Sequence, residues 1–181
     1  MDVTSAGHRN TFRSCHFASP LITAQAQDNG YIGVVRDSAS DTFYDDCTFG
    51  VQTIFGNQDV PLVWLGAGKG ITVFRDCKFL LQNSNTSPYF IYFSNSADMG
   101  VTFFENCKFY ADLGAPGGTS AIAFKWAGTT WKAYAILDSR CSFINVTRVC
   151  AAAQDALVRF ETPYVSTDDN VGMLGVAPDL T

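Results

Sequence analysis

The chain is short of concentrated positive charge: Lys and Arg number 12 in 181 residues against 17 Asp and Glu, a net charge of −5, and they form no cluster. Phosphate recognition needs dense basic charge, so a nucleic-acid partner is not expected. No apolar run approaches the length of a membrane span, which leaves out a membrane partner. The N-terminal Met1-Asp2-Val3-Thr4-Ser5 lacks the basic and apolar regions of a secretory leader, so a soluble chain is expected, with any leader absent from it. There is no Cys-x-x-Cys, so a structural metal has no support, and nothing suggests a cofactor. Amphipathic helices of useful length are missing too. Only two histidines occur, His8 and His16, and neither has a plausible nucleophile beside it.

What is present is a repeat. Thr11-Phe12-Arg13-Ser14-Cys15-His16-Phe17 recurs as Thr42 to Phe49, Thr72 to Phe79 and Thr102 to Phe109, and more weakly as Ile136 to Phe143. The cysteines Cys15, Cys47, Cys77, Cys107 and Cys141 lie 32, 30, 30 and 34 residues apart, each followed two places later by Phe17, Phe49, Phe79, Phe109 or Phe143. Phenylalanine is 15 of 181 residues, so the coincidence has odds of about one in a few hundred thousand. The period is real, and such periods mark stacked repeat architectures.

Each copy reads as strand, bend, strand. Segments such as Ile71-Thr72-Val73-Phe74 are β-branched and aromatic. Two polar residues follow, ending in Asp46, Asp76 or Asn106, side chains that tolerate the left-handed backbone of a sharp bend. Cys-x-Phe then resumes with period two, placing Cys and Phe inward and His16, Thr48, Lys78, Lys108 and Ser142 outward. A further apolar run stands elsewhere in each unit: Tyr31 to Val35, Leu62 to Leu65, Tyr89 to Phe93, Ala121 to Phe124, and last Ala156 to Phe160. Three short strands per unit describe one coil of an all-β parallel β-helix, a solenoid of about five coils of 30–34 residues. At the usual interstrand spacing the stack is about 24 Å long. The five repeat cysteines are expected as an unoxidised buried ladder; Cys150 lies outside it.

The [Arg/Glu/Asp]-[Asp/Asn]-Cys-x-Phe bend resembles the right-handed pectate-lyase-like β-helix superfamily, which includes polysaccharide lyases, polygalacturonases and bacteriophage tailspikes. The likeness covers about residues 10 to 161. It implies a β-helix over 1–161, with 162–181 as a cap or as a tail making subunit contacts. Ten residues before the first copy are too few for a full coil, so the chain is expected to enter the fold mid-coil. The apolar segment Val171-Gly172-Met173-Leu174-Gly175-Val176 is expected to cover the lower end or reach a neighbour. By resemblance to viral β-helices, a homotrimer is expected.

Enzymes of that superfamily cleave polysaccharide with carboxylates on the outer face. The acidic candidates are Asp37, Asp41, Asp45 and Asp46. The family signatures Asn-Thr-Asp, Gly-His-Gly, Arg-Ile-Lys and Trp-x-Asp-His are all missing, and no catalytic residue is assigned. Asp46 and Asp76 are explained by the bend alone. Asp45, Arg75 and Glu105 share one position, so Arg75 is expected between two carboxylates as a surface charge ladder worth about 0.2–1 kcal/mol per pair. The contact candidates are aromatic and basic: Lys125, Trp126, Trp131, Lys132, Trp64 and Tyr92. The segment Lys125 to Lys132 reads either as an exposed contact loop or as a loop whose tryptophans fold back into a core.

The resulting expectation is a non-enzymatic virion protein of bacteriophage type, either a capsid decoration or cement subunit or a tailspike or fibre shaft. It would bind other virion proteins or host polysaccharide through a rigid surface. The alternatives are a polysaccharide lyase or hydrolase and a carbohydrate-binding module; outside a virion the place would be extracellular.

Overall fold

The computed structural model describes residues 1–3, 9–18, 35–39, 41–50, 61–66, 70–82, 89–94, 100–112, 121–127 and 133–161. The first coil contributes β1 (Asp2–Val3), β2 (Arg9–Arg13) and β3 (His16–Phe17). The second gives β4 (Val35–Asp37), β5 (Asp41–Asp45) and β6 (Thr48–Gly50); the third gives β7 (Val63–Leu65), β8 (Ile71–Arg75) and β9 (Lys78–Gln82). The fourth holds β10 (Tyr89–Phe93), β11 (Val101–Glu105) and β12 (Lys108–Asp112), the fifth β13 (Ile122–Trp126), β14 (Tyr134–Leu137) and β15 (Ser142–Ile144). A 3-10 turn (Ala152–Leu157) then leads to β16 (Val158–Phe160).

Every strand pairs in parallel with its equivalent one coil away. Sheet 1 is β1-β4-β7-β10-β13, sheet 2 is β2-β5-β8-β11-β14-β16, and sheet 3 is β3-β6-β9-β12-β15. This is a parallel β-helix with three strands per coil, as the repeat predicts.

The corner between sheets 2 and 3 shows why the repeat is so regular. Asp46, Asp76 and Asn106 have φ of 50°, 54° and 52°, and Ser14 takes 48° in the first coil. The bend carries the ladder round the corner without loss. Ser14, Asp46 and Asp76 each donate their amide to the carbonyl of the following coil, and Thr48, Lys78, Lys108 and Ser142 donate to the cysteine carbonyl of the preceding one. These bonds keep the amides on both sides of the bend paired, as a dry interior requires.

The weak fifth copy breaks the rule for a countable reason. Phe104 pairs with Leu137 and Phe109 with Phe143, so the four residues between them in one coil face five in the next. The extra residue converts the bend into a wider turn at Ser139–Arg140. Asp138 fills the gap, its carboxylate accepting the Asn106 amide at 2.9 Å. Burial pushes the Asp138 carboxyl up, but the Asn106 amide, the Arg140 guanidinium and amide and the Cys141 thiol together hold it below its ordinary value.

Two aromatic stacks fill the interior. Phe17, Phe49, Phe79, Phe109 and Phe143 lie ring over ring at 5.0, 5.0, 4.6 and 4.9 Å. Beside them Phe12, Tyr44, Phe74 and Phe104 stack at 5.2, 4.8 and 5.2 Å, meeting the first column edge to face. This second column is absent from the sequence reading, which placed only Cys and Phe inside. All six cysteines are free. Each thiol from Cys47 to Cys141 reaches the carbonyl of Phe12, Tyr44, Phe74 or Phe104 in the coil above, at 3.2–3.5 Å. Burial pushes the Cys47 thiol up to about 11 and the Cys107 thiol well above its ordinary value.

Two expectations change. The chain does not enter mid-coil, since β1 pairs with β4 and starts sheet 1. The run ending at Phe160 belongs to sheet 2, because β16 pairs with β14. Its expected place below β13 is taken by Arg148 and Val149, whose carbonyls accept the amides of Ala123 and Phe124. Buried Gln154 extends that cover, its side-chain amide donating to the Trp126 carbonyl at 3.1 Å. In the first coil Asn10, not Thr11, joins the inward row with Thr42, Thr72 and Thr102. The tail at 162–181 lies outside the described residues.

Candidate functional site

The four acidic candidates do not form one cluster on the outside. Asp37 ends β4 on the inner row shared with Leu65, Phe93 and Trp126, and is 3% exposed. This overturns its placement on an outer face. Its carboxylate accepts the Ala39 amide at 2.9 Å, the Thr42 hydroxyl at 3.2 Å and the Tyr44 hydroxyl at 3.1 Å. Burial raises the Asp37 carboxyl above its ordinary value although these three bonds pull the other way. The Tyr44 phenol is raised as well, by burial first and then by the Asp37 charge.

The other three carboxylates face outward and are engaged in the architecture. Asp41 accepts the amide of Ile71 in the next coil at 3.0 Å. Asp46 accepts the Ser14 hydroxyl at 3.1 Å beside its own bend. Asp45 lies between Arg13 and Arg75 by register and is 3.6 Å from the Arg13 guanidinium, while Arg75 pairs with Glu105 at 2.7 Å. Among the described residues no three His, Cys, Asp or Glu side chains converge as a metal site.

The aromatic and basic candidates divide. Trp126 is 4% exposed, stacked on Phe93 at 4.5 Å with its indole N–H donating to the Ala133 carbonyl at 3.1 Å, so it is core rather than contact loop. The signal was available: Trp126 stands two places from Phe124 in a period-two strand. Trp131 and Lys132 lie outside the described residues. The remaining three come together. By register Arg36, Trp64, Tyr92 and Lys125 form one row along sheet 1. The Arg36 guanidinium covers the Trp64 ring at 4.7 Å, and the Lys125 ammonium sits 4.4 Å from the centre of the Tyr89 ring, itself 5.7 Å from Tyr92. Cation–π packing closes Trp64 to 7% exposure. Gly66 makes room for it, since a Cβ there would meet the indole at 2.4 Å.

Sheet 2 presents a second outer face that the sequence reading saw only in part. Its middle row is Thr11, Phe43, Val73, Phe103 and Ile136, apolar along most of its length. On one side runs the charged row Arg13, Asp45, Arg75, Glu105; on the other stand Arg9, Asp41, Ile71, Val101 and Tyr134. Ile71 is 44% exposed. Arg9 lies over the Phe43 ring at 5.3 Å. A recess of about 210 Å³ opens here among Arg9, Thr11, Arg13, Phe43, Val73 and Arg75. Chemically, sheet 1 offers a closed cation–aromatic row and sheet 2 an open apolar stripe with a charged margin. In comparison with family models, curated proteins and solved structures, no match to this chain was found.

Proposed function

We propose that this chain is a non-catalytic structural protein whose rigid β-helix works by contact. Its resemblance to phage tailspikes makes a bacteriophage virion its place, as a capsid decoration or cement subunit or a tailspike or fibre shaft. The observation carrying this reading is the use made of the carboxylates. Asp37 is consumed by three donors in the interior, Asp41 by a backbone amide, Asp46 by the bend, and Asp45 by the charged row. Hydrolysis of a glycosidic bond needs one acid and one base or nucleophile aimed at a shared space, and these groups are aimed at their own fold. The test is incubation with pectin, alginate and capsular polysaccharides, scored for new chain ends. No new ends are expected; ends that appear with the protein and vanish with Asp45→Asn would overturn the reading.

A second reading, a carbohydrate-binding module, draws on the row Arg36, Trp64, Tyr92 and Lys125. Tyr92 is its partly exposed aromatic, and planar rings beside cations suit sugar faces. Binding of glycans that is lost in Tyr92→Ala would favour it over contact with virion proteins.

A further inference from the structure

We propose that the outer face of sheet 2 docks on the same face of a second copy of this chain, with the two coil stacks running antiparallel. The inference deepens the contact reading above but rests on sheet 2 alone, so it survives failure of any glycan or virion role.

The argument is charge order. Along the margin the sequence of charges is Arg13, Asp45, Arg75, Glu105, alternating plus and minus from coil to coil. A two-fold axis along the strand direction, between the second and third coils, lays this row on its own reverse. Arg13 then faces the partner's Glu105, and Asp45 faces the partner's Arg75. Every charge of this row meets its opposite across the interface as well as along the row, while on the far margin Arg9 comes over the partner's Val101 and Asp41 over the partner's Ile71. The other two-fold arrangement, with coil stacks parallel, lays the margin over the opposite row instead. Arg13 would meet the partner's Arg9 and Asp45 the partner's Asp41, two like-charge contacts on each side. The pattern therefore selects the antiparallel dimer and rejects the parallel one.

Shape agrees with charge. In the antiparallel arrangement the first coil faces the partner's fourth. Phe103, outward and partly exposed in the fourth coil, then comes over Thr11 of the partner subunit, at the recess beside the partner's Phe43. An aromatic knob seated in an apolar recess and ringed by charge is the usual arrangement of an interface hot spot. Only β2, β5, β8 and β11 overlap in this arrangement, and four strands at their normal spacing with five residues each give a footprint of roughly 300 Å², well under half of what one partner contributes to a standard interface. The dimer should therefore dissociate on dilution and weaken as salt rises.

The test is sedimentation of the full chain across a range of concentrations, with circular dichroism to confirm that each variant is folded. Wild type is expected to pass from monomer to dimer. Arg75→Glu places two like-charge contacts in the interface and is expected to raise Kd at least about tenfold. The swap Asp45→Arg with Arg75→Asp scrambles the order within one row but restores every contact across the two-fold, so dimerisation is expected to return. Phe103→Ser is expected to abolish it without affecting the fold. A chain that stays monomeric throughout, one that forms a trimer, or a dimer indifferent to Arg75→Glu or not rescued by the swap overturns the proposal.

Discussion

The middle coils and the first coil have the same pattern but different enclosure. Phe49, Phe79 and Phe109 are fully buried, each with a ring above and a ring below, and Cys47, Cys77 and Cys107 are equally sealed. In the first coil Phe12, Cys15 and Phe17 are only partly buried, although their backbone follows the same ladder. The interior is thus a property of stacking, since a residue becomes core when it has a neighbour on both sides. A repeat motif alone places a side chain inward; the next coil makes it dry.

The largest contrast expected between the two regions is in thiol chemistry. Alkylation of the native protein should label Cys15 first, with Cys47, Cys77, Cys107 and Cys141 slower by about a thousandfold or more, as each must wait for the coil to open. Mass mapping of labelled peptides would show it; uniform labelling would erase the difference between first and middle coils. Next is packing. Phe79→Ala should cost about 3–5 kcal/mol in denaturant unfolding, against about 1–2 kcal/mol for Phe17→Ala, because only the former empties a closed site. Equal losses would mean that the ends are as enclosed as the centre.

The bend offers a finer test. Asp76→Ala forces a side chain without local hydrogen bonds into a φ of 54° and should cost about 1–2 kcal/mol, whereas Asp76→Gly should stay within about 0.5 kcal/mol. The same pair at Ser139, in the wider turn of the fifth coil, should show no such preference for glycine.

The smallest effect concerns Asp37. Its carboxyl is raised in the folded state, so the folded protein holds the proton more tightly than the unfolded chain does. That favourable contribution is present below the ordinary carboxylate pKa of 3.8 and is lost as pH rises through the folded value. Asp37→Asn removes the dependence. Its melting temperature relative to wild type should climb as pH rises from about 3.8 through the raised folded value. A constant offset would place Asp37 in water.

Cysteine spacing and period-two alternation were enough to read the coil, the bend and one aromatic column, because sheets 2 and 3 join through a corner of constant length in the first four coils. The second column, Phe12, Tyr44, Phe74 and Phe104, lies in the β-branched and aromatic stretch before the bend, where aromatic residues also stand at the outward positions 43 and 103, so residue type alone does not tell the inner face from the outer. Sheet 1 was less legible for a physical reason. Its strands are joined to the rest by segments of varying length, and a shift of one residue moves a side chain from outside to inside. Hence Asp37, read as surface, is core, and Trp126, a contact candidate, stacks on Phe93. The charge ladder was visible as Asp45, Arg75 and Glu105, but its meaning for docking emerged only when Arg13 joined it through the register of β2 with β5.

Contacts between residues 30 or so positions apart test the stacking most directly. In isotope-labelled protein, nuclear Overhauser cross-peaks should link Phe49 to Phe79, Phe79 to Phe109 and Phe109 to Phe143, along with the backbone of each parallel neighbour. Cross-peaks that instead pair these phenylalanines with antiparallel strands, or leave them without one another, would contradict the β-helix and everything argued from its faces.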